Sequence, residues 1–314
     1  MNWPDGAALT AFGRQALSLV AQQLRTESVT CLLAPDYYCQ TMLVPFLMEG
    51  IQVHVVVTGA DCLMRGDALL AAVDSHPGCA ILHCETFGNR PHADLAAALH
   101  DTAGRGIKLI IDRTHGWLDP ATTPADYTVA SLRKLLSVPD GAFVTGLRAP
   151  VALAANHETD EAVRARIRYL GDPDLRGLEL AEDAIDDAWT PAPPSPQSLH
   201  IIDALDARAL REQYLMTADR VRAALNERPV PGLNVINPAS SCCVALSHPR
   251  AAAIMDDLAA RGVYGPLYWG PPEHLPRTHH WRTDLFTVPV DRAWAGREEL
   301  LASWIEQAAA GCSL

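Results

Sequence analysis

The short run Leu109-Ile110-Ile111 is apolar on both faces and ends on Asp112. A carboxylate closing such a buried strand costs several kcal/mol unless a cation or hydrogen-bond donors meet it. One βα-sized step later comes Ser131-Leu132-Arg133-Lys134, and Lys134 is one of only two lysines among 25 basic residues. The other, Lys108, opens the same strand at the end away from where parallel sheets bind ligands. A protonated pyridinium is a cation suited to Asp112, and a lysine amine on the neighbouring segment is what attaches an aldehyde cofactor as a Schiff base. The pair therefore reads as a site for pyridoxal 5'-phosphate (PLP). Ser131, three residues before Lys134, brings a hydroxyl toward the phosphate, and Gly13-Arg14-Gln15-Ala16-Leu17 opens a helix whose N–H groups and positive dipole end suit a dianion.

Each residue alone has a plainer reading. Asp112 reads as a strand-end cap for the next helix, Lys134 as a solvated lysine, His115 as a loop histidine, and Tyr37, Tyr38 and Cys39 as core packing. Their order along the chain is what argues for chemistry. Ser131-x-x-Lys134 also matches the nucleophile motif of serine acyl enzymes, but that chemistry needs a Lys-Thr-Gly element and both lysines here precede leucine. No HExxH, GxSxG or Walker A motif occurs, and His274 with His279-His280 is too loosely spaced for zinc, so no metal is expected.

The elements that must position these residues alternate. Helices are predicted over 10–24, 39–48, 67–73 and 92–102, and strands over 31–34, 52–57, 80–84, 108–112 and 141–145. That rhythm is the βα repeat of a mostly parallel sheet covered by helices, a three-layer α/β/α domain. Beyond residue 160 the pattern turns helical, over 161–169, 179–187 and a long helix over 195–227 that follows a proline-rich run. A terminal unit reads strand 242–246, helix 250–261, strands 263–269 and 285–288, and helix 297–309. The expected organisation is a large domain over 1–190, a connecting helix over 191–230 and a small α/β domain over 231–314.

Taken together, Gly13-Arg-Gln-Ala-Leu17, Pro35-Asp-Tyr-Tyr-Cys39, Phe87-Gly88, Asp112-Arg-Thr-His115, Ala125-Asp-Tyr127, Ser131-Leu-Arg-Lys134 and Pro139-Asp-Gly141 resemble the DegT/DnrJ/EryC1/StrS-like aminotransferases, within PLP fold type I. The resemblance continues through Arg261-Gly-Val-Tyr264, Tyr268-Trp269 and residues 285–291. It implies Lys134 as Schiff-base lysine and general base, Asp112 at the ring nitrogen, His115 near the phenolic oxygen, and Ser131 with the Gly13, Arg14 and Gln15 turn at the phosphate. It puts Tyr38 or Cys39 against the ring face, where an aromatic is usual. It also implies a homodimer with shared active sites. A clear match to the longer sugar-nucleotide-binding members is lacking, so the expected substrate is a small amino acid or amine. Its carboxylate would need an arginine fork, for which Arg282 and Arg277 in the loop before the last strand are the candidates. Transamination is the expected reaction. Racemisation, decarboxylation, elimination or carbon–carbon bond formation would use the same lysine, and a non-catalytic PLP-binding regulator would keep the fold.

Composition sets the frame. The 314 residues carry a formal charge of −12 without a basic cluster, which argues against a nucleic-acid surface and for a small ligand. The eight cysteines form no CxxC pair and read as reduced core thiols. The N-terminus carries no basic n-region and no apolar stretch reaches about 18 residues, which makes the cytoplasm the expected compartment.

Overall fold

The computed structural model describes residues 3–172, 174–278 and 281–311. Seven strands form one sheet in the order β1-β7-β6-β5-β4-β2-β3: β1 (Ala8–Thr10), β2 (Cys31–Pro35), β3 (Gln52–Val56), β4 (Ala80–Cys84), β5 (Leu109–Asp112), β6 (Tyr127–Ser131) and β7 (Ala142–Thr145). The five strands from β3 to β6 run parallel, while β7 is antiparallel to both β6 and β1. β4 and β5 lie in the interior of the sheet and are buried at every residue, as their two-sided apolarity demands. Helices α1 (Gly13–Thr26), α2 (Gln40–Met48), α3 (Gly66–Ser75) and α4 (Ala93–Gly104) are the crossovers.

The crossovers divide the packing. α1 and α2 bury Leu17, Val20, Leu24, Leu43 and Phe46 in one cluster with Leu32, Leu82 and Ile110. α3 and α4 bury Leu69, Val73, Leu95 and Leu99 in a second cluster with Leu33, Ile81 and Ile111. Adjacent residues of one strand thus serve opposite faces, which is the period-two consequence of the pleat. The three-layer α/β/α architecture follows.

Four expectations need correction here. Strands β1 and β6 were not predicted, although β6 carries Ser131 into the site. The single helix expected over 195–227 is two, α7 (Pro196–Asp203) and α8 (Ala207–Glu227); the chain turns between them and Asp206 restarts the helix by accepting from the Ala209 N–H at 3.0 Å. The stretch 263–269 is not a strand. Gly265 packs so tightly on Thr287 that a Cβ there would meet the Thr287 carbonyl oxygen at 2.4 Å, and Leu267 exchanges hydrogen bonds with the Thr287 hydroxyl instead of a backbone ladder. Cys31 and Cys79 are joined as a disulfide, not reduced. Each lies at the entry of neighbouring strands β2 and β4, so the parallel pairing brings them together across 48 residues of chain. Cys39, Cys62, Cys84, Cys242 and Cys243 are free thiols, and Cys312 and His279-His280 lie outside the described residues.

Helices α5 (His157–Gly171) and α6 (Leu175–Asp186) pack on each other beside the sheet. The terminal unit is a three-stranded antiparallel sheet in the order β10-β9-β8, made of β8 (Asn234–Val235), β9 (Val244–Ser247) and β10 (Leu285–Val288), with α9 (Ala251–Ala260) and α8 against it and α10 (Glu298–Ala310) packed on those two helices. Its core is continuous with Leu132, Leu135 and Val138 of the large sheet's end loop. No helix among the described residues is long and apolar enough to cross a membrane.

Candidate active site

The carboxyl ends of β2, β4, β5 and β6 open onto one pocket, as expected of an open parallel sheet. Asp112, Thr114, His115, Ser131, Arg133, Lys134, Cys39, Gly13 and Arg14 all line it. The pocket is narrow, about 70 Å³, and shares Arg133 and Lys134 with an adjoining cleft of about 470 Å³.

Asp112 is the last residue of β5 and is buried. Its Oδ1 accepts the Thr114 backbone N–H at 2.8 Å, and among the described residues no cation pairs with it. Burial therefore pushes its pKa up, only partly offset by Thr114. A buried carboxylate without a cation is costly, and a ring N–H⁺ is a group that would relieve it. Thr114 does a second job: its hydroxyl accepts the Ser131 N–H at 3.0 Å, tying the end of β6 to the turn after β5.

His115 is held by an unusual backbone. Phe87, after β4, sits at φ 55°, a left-handed conformation that is strained for a bulky residue. In that conformation its N–H donates to His115 Nδ1 at 3.1 Å, so Nδ1 is unprotonated and Nε2 carries the proton. Burial, with Lys134 nearby, lowers the His115 pKa to about 3 and keeps the ring neutral. The ring lies over Trp269 at 5.6 Å between centroids.

Lys134 closes a short 3₁₀ turn directly after β6, which aims a half-buried side chain at both the pocket and the cleft. The Arg133 charge first, then burial, lower its pKa, while Glu182 of α6 works the other way with Oε2 at 3.7 Å. A lowered ammonium pKa raises the fraction of free amine, which is the form that attacks a carbonyl.

The start of α1 abuts Ser131. A Cβ on Gly13 would come within 3.0 Å of the Ser131 Cβ, so glycine is what lets the helix start meet the end of β6. The N–H groups of Gly13 and Arg14 are first-turn donors with no helical acceptor. Arg14 is buried, ion-paired with Asp186 and stacked over Trp189 at 4.5 Å, yet its Nη1 has no hydrogen-bond partner. These are features of an anion cradle, and with Asp112 and Lys134 they fit PLP in both its phosphate and its ring nitrogen. Replacing Gly13 by alanine is expected to weaken cofactor affinity about tenfold, the low end of an overpacking cost. Titration of the cofactor into apoprotein measures this, and an unchanged affinity would remove the Gly13 turn from phosphate binding.

Several expected residues lie elsewhere. Gln15 turns away from the pocket: its amide bonds Thr159, Ala188 and Thr190, and its Oε1 caps the Phe12 N–H. Tyr38 is fully buried outside the pocket and donates to the Pro276 carbonyl at 2.5 Å, which leaves Cys39 on the pocket wall. Arg282 is spent on Asp284 through two bonds of 2.6 and 2.8 Å, and Arg277 is exposed; neither lines the pocket. Thr114, Trp269 and Glu182 were missed. For Glu182, 48 residues beyond Lys134, no local signal exists; Trp269 lies in an irregular segment, where no strand alternation indicates that its ring stacks with His115.

No family model matches the sequence, and no curated protein matches it. Solved structures do. A DegT/DnrJ/EryC1/StrS aminotransferase from Brucella abortus superimposes with a TM-score of 0.64 at 14% identity, covering 96% of this chain and 86% of that one. PseC from Helicobacter pylori, an aminotransferase involved in the biosynthesis of pseudoaminic acid, gives 0.69 at 11% identity over 97% of this chain and 86% of the other. The chain has the fold of these aminotransferases. A sugar aminotransferase from Micromonospora echinospora agrees, with a TM-score of 0.62, 15% identity and coverage of 96% and 86%. The mostly parallel α/β fold expected of the chain is the fold of these structures, in keeping with the resemblance to PLP fold type I.

Proposed function

We propose that the protein is a PLP-dependent aminotransferase that moves an amino group onto a keto sugar. The observation that carries the first half is the juxtaposition of Lys134 and a cation-free buried Asp112 on one pocket wall, in this fold. The sugar replaces the small amino acid or amine expected from sequence. Its support is the company the fold keeps, sugar aminotransferases among them, together with a cleft of about 470 Å³ beside Lys134, a size within the range of pockets for sizeable ligands.

PLP supplies an aldehyde for the amine to attack and a ring that accepts electrons. The chain's own residues do the rest. Lys134 offers a free amine for attachment and moves the proton at the carbon that bears the transferred amine. Asp112 holds a proton on the ring nitrogen. Neutral His115, fixed by Phe87, offers an N–H on Nε2, and Cys39 forms the wall where an aromatic is usual. The Gly13 and Arg14 N–H groups with Ser131 hold the phosphate. A homodimer with shared sites accords with this reading.

The test is a spectral one. The purified protein with PLP should be yellow, and addition of an amino-acid donor should bleach that band, with the amine form of the cofactor seen by mass spectrometry. A yellow protein that ignores every donor would make it a binding protein; a bleached protein that releases carbon dioxide or racemised donor would make it another PLP enzyme.

A further inference from the structure

Beside the pocket, one guanidinium is held in place with a distant ion pair and two N–H-bearing nitrogens that make no hydrogen bond. Arg166 of α5 lies stacked on Tyr169, its Cζ 4.7 Å from the ring centre, and its side chain is 12% exposed. Its Nη1 is 3.7 Å from Glu182 Oε1, beyond a hydrogen bond, and both Nε and Nη1 are buried without a hydrogen-bond partner. Arg133 has already taken that carboxylate, with bonds of 2.7 and 3.0 Å to its two oxygens. Arg133, Lys134 and Arg166 therefore set three cationic groups around one acid. Burial pushes the Glu182 pKa up, but these cations outweigh it and hold the carboxyl ionised, so it is no further source of neutralisation. The other acid lining the cleft, Asp291, caps the next turn through the Ala293 N–H.

We infer that Arg166 is the receptor for an anionic oxygen group of the substrate, a phosphate ester or a carboxylate, seated in the cleft next to Lys134. Three features converge on it. A guanidinium presents in-plane pairs of N–H donors matched to two oxygens, and stacking on Tyr169 fixes that plane before the ligand arrives. Around Glu182 itself, Arg133 and Arg166 leave one positive charge in surplus even when Lys134 is neutral. Lys134 and Arg166 each lie 3.7 Å from an oxygen of the same Glu182, so a group bound at Arg166 sits one small molecule's length from the reacting amine. Exposed Tyr264 and Tyr268 line the same cleft and offer ring faces to the uncharged part of the ligand. This assignment replaces Arg282 and Arg277 as the anion fork, and it rests on the proposed role of Lys134 only for what happens after binding.

Calorimetric titration of the cofactor-loaded protein with inorganic pyrophosphate and, separately, succinate tests it at fixed ionic strength. At least one should bind; Arg166→Gln should weaken it tenfold or more, and Glu182→Gln, which removes the competing carboxylate, should strengthen it. Preference for pyrophosphate identifies a phosphate ester, preference for succinate a carboxylate. Arg208→Gln, a change at a fully solvated arginine of α8, is the control for net charge. Absence of binding by either anion, an Arg166→Gln protein that binds as well as wild type, or an equal loss in Arg208→Gln would overturn the assignment. Should Arg166→Gln melt early, Arg166→Met, which keeps the stem over Tyr169, decides by the same criterion. The readout is independent of colour, so a colourless protein that still binds anions through Arg166 would refute the cofactor reading and leave this one standing.

Discussion

Lys134→Ala is expected to leave a folded protein that no longer binds PLP covalently and turns over at least about 10³-fold more slowly, the factor associated with loss of a positioned proton-transfer group. Borohydride treatment followed by mass spectrometry reads the first effect, since reduction fixes the cofactor on wild-type protein and should fix none on the variant. The fold should survive because the side chain is half-exposed and its loss opens no core cavity. Lys134 shares Glu182 with Arg133, which already makes two short bonds to that acid, so removing the amine leaves the carboxylate paired. The one alternative lysine, Lys108, is ion-paired with Asp126 at 2.5 Å at the opposite end of the sheet. A variant that still carries reducible cofactor would therefore refute the assignment of Lys134 without offering Lys108 as its substitute.

The parts of this molecule that were legible in sequence are those where one physical rule dominates. β4 and β5 announce themselves because a strand covered on both faces must be apolar throughout, and Asp112 stands out because it breaks that rule at the strand's end. β1 and β6 give no such signal: the first has three residues, and the second, Tyr-Thr-Val-Ala-Ser, mixes polar and apolar positions although four of its five residues are buried. The Cys31–Cys79 pairing depends on strand order, which places β4 next to β2, and no local pattern encodes strand order. Arg282 illustrates the opposite failure. Its type suited a substrate carboxylate, but Asp284 two residues on offers a carboxylate at no cost in chain closure, and the near partner captures the fork. Arg166 looks from sequence like any other charge on an amphipathic helix, and only the packing of α5 against α6 shows that Glu182 satisfies Arg133 and leaves Arg166 without a hydrogen bond to it.

Asp112→Asn is expected to affect the loaded and the empty protein in opposite directions. With cofactor, the change removes the charge that keeps a proton on the ring nitrogen, and turnover should fall on the order of 10²- to 10³-fold, as when one preorganised electrostatic partner is lost. Without cofactor, the same carboxylate is a burden: it is buried, one oxygen is met by the Thr114 N–H, and burial holds its pKa above the unfolded value. A carboxyl with a raised folded-state pKa binds its proton more tightly in the folded chain, so its contribution to stability is greatest at low pH and is lost as pH rises through that pKa. Asparagine keeps the acceptor for Thr114 and has no charge to bury. The apo variant should thus melt at or above the wild-type temperature at pH 7, and the gap should close as pH falls toward the ordinary carboxylate value of about 3.9. Cofactor should reverse the order, because only the wild type gains an ion pair on loading. Melting curves of both proteins with and without PLP at pH 5 and pH 7 make the comparison. An apo variant less stable than wild type at pH 7, or equal gains on loading, would mean that Asp112 already has a partner in the folded chain and is not waiting for a cation.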